Sequence, residues 1–314
     1  MMKQISFTLL VLITVGLLSC HKTANDPNIT QYDNSNIQAY IKANNLTGMV
    51  RDTTGGDTSG IYYQILSQGS TAGAPFAYSD TVKYVFTLKS FDGKYNSVDS
   101  LTSNHYDSFL GHINQNGYPI GLQLAIHNVI KHKGTRARIL IPSRLAYGVN
   151  GYGSGSSSNV NTRIAGNQCL DYYINVYSDQ TLYDDQVIKN YMATNSLTGF
   201  TKAAGGYYYK VSVPGTGTEP ISQYSAFTAT YTGLFLTGTA FDSNNATTAT
   251  SFDFSGNGGS GYISGVTQGL IGYTAGTAVT LLLPSRYGYG RTGTTGISVN
   301  DCLRFDYTIA TITN

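Results

Sequence analysis

The feature that most limits how this chain can fold is that it is written twice. Asn44-Asn45-Leu46-Thr47-Gly48 returns as Asn195-Ser196-Leu197-Thr198-Gly199, and Ile141-Pro142-Ser143-Arg144 returns as Leu283-Pro284-Ser285-Arg286. Near each end, Ile164 and Ile297, Cys169 and Cys302, and Tyr172 and Phe305 are all separated by the same 133 residues. That period is far too long for a solenoid, so the repeat describes two like units with a boundary near Ser178 to Leu182. Within each unit, Ile and Tyr three apart (Ile37 and Tyr40; Ile188 and Tyr191) suit one face of a short helix. A strand follows, opening at Gly60-Ile61-Tyr62-Tyr63 and at Gly206-Tyr207-Tyr208-Tyr209.

The first residues read as an address. Lys3 precedes an apolar run, Ile5 to Leu18, that is too short to span a bilayer comfortably, and Leu17-Leu18-Ser19-Cys20 resembles a bacterial lipobox. Lipidation at Cys20 is expected; the alternative is an ordinary signal peptide with a cysteine near its cleavage site. The roughly 290 residues that remain exceed what one hydrophobic core usually serves, in agreement with two units. A net charge of +2 with no basic stripe excludes nucleic acid as a partner. Cys169 and Cys302 hold equivalent places in separate cores, so two buried free thiols are expected rather than a disulfide.

The second half resembles FKBP-type peptidyl-prolyl cis/trans isomerases. Tyr231-Thr232-Gly233, Phe241-Asp242-Ser243, Phe252-Asp253-Phe254, Tyr262-Ile263-Ser264-Gly265-Val266, the run Tyr287-Gly288-Tyr289-Gly290, Ile297 and Leu303-Arg304-Phe305-Asp306 resemble that family's elements in order. The likeness spans about Tyr224 to Ile312, and a looser one covers Asp80 to Tyr177, with a longer insertion between Asp99 and Tyr118. The resemblance implies an α+β fold of two FKBP-like domains, each a twisted antiparallel sheet of five or six strands curled around a short helix. The expected layout is a signal peptide at 1–20, a tether at 21–32, a divergent first domain at 33–178 and a better preserved second domain at 183–314.

Carried over residue by residue, the resemblance implies catalytic roles for Tyr231, Phe241, Asp242, Tyr289 and Phe305, with Phe252, Ile263, Val266 and Ile297 binding substrate. Ile263 would offer its backbone N–H to a substrate carbonyl. Val266 departs from the family, which usually has Trp at the pocket floor. In the first half the corresponding positions are Phe86, Leu122, Tyr147, Ile164 and Tyr172, and this site is read as degenerate. Phe86 lacks the hydroxyl of Tyr231, Pro119 falls where Ile263 has its N–H, and Asp99 is a loose candidate for the lost acid.

Such a site needs no cofactor and no metal. Rotation about an X-Pro bond is slow because its barrier is about 18–20 kcal/mol, and a pocket that favours the twisted amide speeds it. His105, His112, His127 and His132 lack metal-binding context and are read as surface residues. The Gly/Ser tract Gly151 to Ser158 reads as a flap over the first pocket.

Three functions follow as expectations. The first is an isomerase in the cell envelope, lipid-anchored at the periplasmic face or outer surface, that acts on proline-containing unfolded or extended polypeptides. The others are a non-catalytic peptide-binding chaperone and a structural surface lipoprotein on the same fold.

Overall fold

The computed structural model describes residues 28–313 except 55, 57, 157, 245–248 and 257–258. The signal peptide and Cys20 lie outside the described residues. No helix among them is long and apolar enough to cross a membrane.

Each unit opens with a helix. The first, α1 (Ile29–Ala43), starts at a capping box in which Asn28 Oδ1 accepts from the Gln31 N–H at 2.9 Å and the Gln31 side chain accepts from Asn28 N at 3.3 Å. Residues 28–32, assigned from their polarity to the tether, therefore cap and open this helix instead.

The first sheet comprises β1 (Val50–Arg51), β2 (Tyr62–Ser67), β3 (Thr81–Ser90), β4 (Asn96–Ser97), β5 (His105–Phe109), β6 (Arg136–Ile141) and β9 (Leu170–Val176). A short helix α2 (Ile120–Ala125) continues into one π turn at Ile126–Ile130, and a hairpin is made by β7 (Tyr152–Gly153) and β8 (Arg163–Ile164). The second unit repeats the plan with α3 (Gln180–Thr194), β10 (Thr201–Lys202), β11 (Tyr208–Val213), β12 (Ala226–Phe235), β13 (Ala240–Ser243), β14 (Thr250–Asp253), α4 (Ser264–Gly269), β15 (Ala278–Leu283) and β16 (Leu303–Thr313).

The strand orders are β1-β2-β6-β9-β3-β4, with β5 also on β3, and β10-β11-β15-β16-β12-β13, with β14 also on β12. Both sheets are antiparallel and have the same topology, with seven strands where five or six are expected, because short edge strands flank the long ones. The segment read as an insertion between Asp99 and Tyr118 contains β5, the counterpart of β14.

Strand periodicity assigns the faces. In β15, Leu281 and Leu283 join the main core of the second unit, while Leu282 between them packs against α3 with Ile188 and Cys302. In β6, Ile139 and Ile141 face the first core, while Leu140 packs with Ile37 and Cys169 under α1. Each sheet thus carries its short helix on one face and its opening helix on the other. The short helix approaches closely because its second residue is glycine: a Cβ at Gly121 would collide with Ile141, and one at Gly265 with Leu283.

A buried carboxylate pins each opening helix. Asp33 accepts from Ser143 Oγ at 2.6 Å and from Arg144 Nη1 at 3.2 Å; Asp184 accepts from Ser285 Oγ at 2.7 Å and Ser285 N at 2.9 Å. Sequence reasoning picked out Ile and Tyr on these helices but missed the aspartates, although Tyr32-Asp33 and Tyr183-Asp184 stand at matching places. Both remaining cysteines are free and buried, and burial pushes the Cys169 thiol up to about 12, which leaves it unreactive.

The units join tightly. Asp179 caps α3 by accepting from Thr181 N and Leu182 N at 2.7 and 3.0 Å, and Tyr177 stacks on Tyr183 with centroids 4.2 Å apart. Most of the boundary region Ser178 to Leu182 is the start of α3.

Candidate functional site

The candidate site of the second unit lies on the face of the sheet that carries α4. Tyr231 comes from β12, Phe241 and Asp242 from β13, Phe252 from β14, Val266 from α4 and Phe305 from β16. Tyr289 follows a one-turn 3-10 helix at Ser285–Tyr287, and Ile297 sits on the loop that leads to β16. Phe252, Val266, Ile297 and Phe305 share one buried cluster, and Tyr231, Phe241, Ile263 and Tyr289 pack half-buried against it. All nine residues named from the sequence therefore meet here, Asp242 through its bond to Tyr231.

The walls are aromatic edges. Phe241 meets Phe305 edge-on at 5.6 Å between centroids, and Tyr231 meets Phe252 edge-on at 6.0 Å. Gly233 makes the first contact possible, since a Cβ there would lie 2.7 Å from the tip of the Phe241 ring and 3.0 Å from Phe305. Tyr307 was missed: it stacks on Tyr231 at 5.6 Å and on Phe305 at 5.8 Å. Its signal was available, because residues two apart on a strand share a face.

Polar groups stand at the rim. The Tyr231 hydroxyl donates to Asp242 Oδ2 at 2.7 Å. Asn244 ties the end of β13 to β12, accepting from Tyr231 N at 2.6 Å and donating to the Ala229 carbonyl at 2.8 Å. Burial and the Asp242 carboxylate push the Tyr231 phenol up to about 12, while burial and the same carboxylate raise Tyr289. Both hydroxyls therefore stay protonated and able to donate at ordinary pH. Ile263 is the N-cap of α4 with extended backbone (φ −61°, ψ 148°), and among the described residues its N–H meets no backbone acceptor.

The first unit shows what was lost. Phe86 pairs with Ile174 as Tyr231 pairs with Tyr307, which places the phenyl ring where the second unit has a phenol. Pro119 caps α2 at φ −58° and ψ 139°, nearly the Ile263 geometry, but has no N–H. The register settles the fate of the acid. Ser97 pairs with Leu88 as Asp242 pairs with Gly233, so serine stands in that place. Asp99, the candidate from sequence, instead caps its own loop by accepting from Leu101 N and Thr102 N at 2.9 Å each. The reason is local chemistry: an Asp two residues before free N–H groups folds back on them.

Phe86, Tyr147 and Tyr172 line a cavity of about 230 Å³ together with Tyr95, Tyr118 and Tyr152, while Leu122 and Ile164 are buried in the core beneath. The start of the Gly/Ser tract forms the β7–β8 hairpin, and Tyr152 on it stacks on Tyr147 at 4.6 Å. His105 is buried at 7% exposure rather than on the surface, because it lies between the two units.

An aromatic cluster on one face of an antiparallel sheet, with an acid and protonated phenols at its rim, is the arrangement expected of the prolyl isomerase class. The profile of the FKBP-type peptidyl-prolyl cis-trans isomerase family matches residues 217–310, so the second unit carries an FKBP-type domain and the activity that goes with it is peptidyl-prolyl isomerisation. No curated protein matches the sequence.

Among solved structures, the chain is similar to a peptidyl-prolyl cis-trans isomerase of Pseudomonas syringae pv. tomato, at 24% identity over 44% of this chain and 98% of the other, TM-score 0.36. FkpA of Escherichia coli gives 25% identity over 42% of this chain and 61% of the other, TM-score 0.36. The three FKBP domains of wheat FKBP73 cover 85% of this chain and 99% of the other at 15% identity, TM-score 0.32. At such TM-scores these are similarities only, and the family reading rests on the profile match.

Proposed function

We propose that this protein is an envelope isomerase that turns X-Pro bonds in unfolded or extended segments of exported proteins, with catalysis in the second unit and a lipid on Cys20 as anchor. The observation that carries the reading is the contrast between the units. Tyr231, Asp242 and the Ile263 N–H meet at one aromatic site, whereas Phe86, Ser97 and Pro119 stand at the equivalent positions of the first.

The chemistry follows from the amide. Twisting an X-Pro bond breaks the resonance that places negative charge on its oxygen, so the twisted form is less polar than the planar one. Walls made by Phe241, Phe252, Ile297 and Phe305 offer it an apolar surface, and water loses its advantage in solvating the planar form. The Ile263 N–H holds a carbonyl of the substrate, which fixes the chain while the bond turns. No proton transfer is needed, in keeping with phenols that remain neutral.

The first unit supports a second role. Its cavity, lined by tyrosines with Ser97, Asn104 and Asn116, keeps an aromatic surface without counterparts of Asp242 and the Ile263 N–H, which suits holding a client segment without turning it. Two measurements test the reading. Catalysis of a proline-limited peptide isomerisation by the whole protein supports it, and an uncatalysed rate contradicts it. Mass spectrometry of the mature protein tests the anchor: an unmodified Cys20 contradicts it.

A further inference from the structure

The loop Arg291 to Asp301 follows Tyr289 and carries Ile297, so its shape decides one wall of the second site. Its own unit holds it at its base, where Asn300 N donates to the Gly290 carbonyl at 2.8 Å and Gly293 N to the Tyr289 carbonyl at 3.2 Å, and by a single bridge between Thr294 and Ile297; Gly293, Gly296 and Asn300 take positive φ of 61°, 82° and 60°. Glycine-rich backbone loses the most entropy on ordering. The corresponding loop of the first unit is longer and closes on itself through β7 and β8, with Arg163 Nη2 donating to the Asn150 carbonyl at 3.0 Å.

The first unit adds side-chain anchors to this backbone frame. The Asp107 side chain on β5 is fully buried and accepts from Arg291 Nε at 2.9 Å and Arg291 Nη2 at 2.7 Å, a two-pronged pairing at the start of the loop. The same carboxylate accepts from Asn300 Nδ2 at 3.0 Å at the end of the loop, and Lys83 Nζ lies 3.4 Å away. Two residues along β5, the His105 ring nitrogens lie 2.8 Å from the Val299 and Ser100 carbonyl oxygens, and Nδ1 is 3.4 Å from Asp301. Lys83 is this carboxylate's partner from its own unit, while its hydrogen-bond donors Arg291 and Asn300 both come from the second. Asp107 therefore gathers both ends of the loop at one carboxylate.

We propose that Asp107 and His105 are positioning residues for the second site: the first unit, whatever it has lost as a catalyst, holds the Ile297 wall of its neighbour. This rests on the proposed function for its catalytic readout but not for its structural one. The two units then act as one enzyme, with the site on one and its clamp on the other.

The test uses the full-length protein with Arg291→Gln, whose side chain is 59% exposed and whose loss leaves the core untouched, and with Asp107→Asn. Amide hydrogen exchange across residues 291–301 should speed up at least about threefold in both, with β12 and β16 unchanged. KM for a prolyl peptide should rise by a similar factor, at the lower end of measured couplings of this kind. Arg291→Lys, which restores the charge without the fork, should recover part of each effect. Unchanged exchange in both variants overturns the clamp. A looser loop with unchanged KM overturns its role in the site. If the wild type shows no turnover, the proposed function fails by itself, and prolyl-peptide affinity replaces KM in deciding the inference.

Discussion

Tyr231 and Asp242 are joined by a 2.7 Å hydrogen bond across the rim of the second site, donor on β12 and acceptor on β13. The bond fixes the hydroxyl of a ring that also stacks on Tyr307 and meets Phe252, so one polar contact orients three aromatic walls. Asp242→Ala should lower kcat/KM for a prolyl peptide about tenfold, the cost of one hydrogen bond to a charged acceptor. The domain should stay folded, since Asp242 is exposed. Thermal melts beside steady-state assays check both halves, and full activity in the variant would remove Asp242 from the site.

The same pair sets a pH dependence. The Tyr231 phenol lies near 12 in the folded protein against 10.0 for a free tyrosine, raised by burial first and Asp242 second. Its contribution to stability is complete below pH 10 and lost as pH climbs from 10 to 12, where the unfolded chain ionises first. Asp242→Asn should bring the Tyr231 transition to lower pH, read as phenolate absorbance in a difference titration against Tyr231→Phe.

Gly233 is the one position on β12 where a side chain would strike both Phe241 and Phe305, and the first unit has Leu88 at that register. Gly233→Leu should displace Phe241 and cost about 1–3 kcal/mol through overpacking. The expected result is lower activity with a smaller loss of stability, measured by isomerisation rate and chemical denaturation. An unchanged rate would mean that Phe241 does not form the wall.

Asp184 anchors α3 by accepting from both the backbone and the hydroxyl of Ser285, and burial raises its carboxyl above the usual range. Asp184→Ala leaves two buried donors unpaired and should destabilise the second unit by about 1–3 kcal/mol. Asp33→Ala should act likewise on the first unit through Ser143. Urea unfolding of the two variants, compared with wild type, checks this.

The repeat, the amphipathic helices and the aromatic set were legible in the sequence because each leaves a periodic or ordered trace. Ile37 and Ile188 keep helical spacing, and Phe305 and Tyr172 keep a constant offset. The acid position of the first unit was not legible. The segments between Asp92 and Tyr118 and between Gly238 and Tyr262 share little sequence, and only strand register reveals that Ser97, not Asp99, answers Asp242. The clamp was hidden for a different reason. His105 and Asp107 meet residues about 190 positions away on the other unit, and such a contact imprints no pattern on its neighbours.

The central claim is that isomerisation belongs to the second unit. The most direct measurement is the rate of proline-limited peptide isomerisation by the full-length protein carrying either Tyr231→Phe with Asp242→Ala, or Tyr147→Ala with Tyr172→Phe in the first unit. The first pair should abolish most of the catalysis and the second should leave at least about half. Catalysis that survives the first pair and disappears with the second would contradict the account.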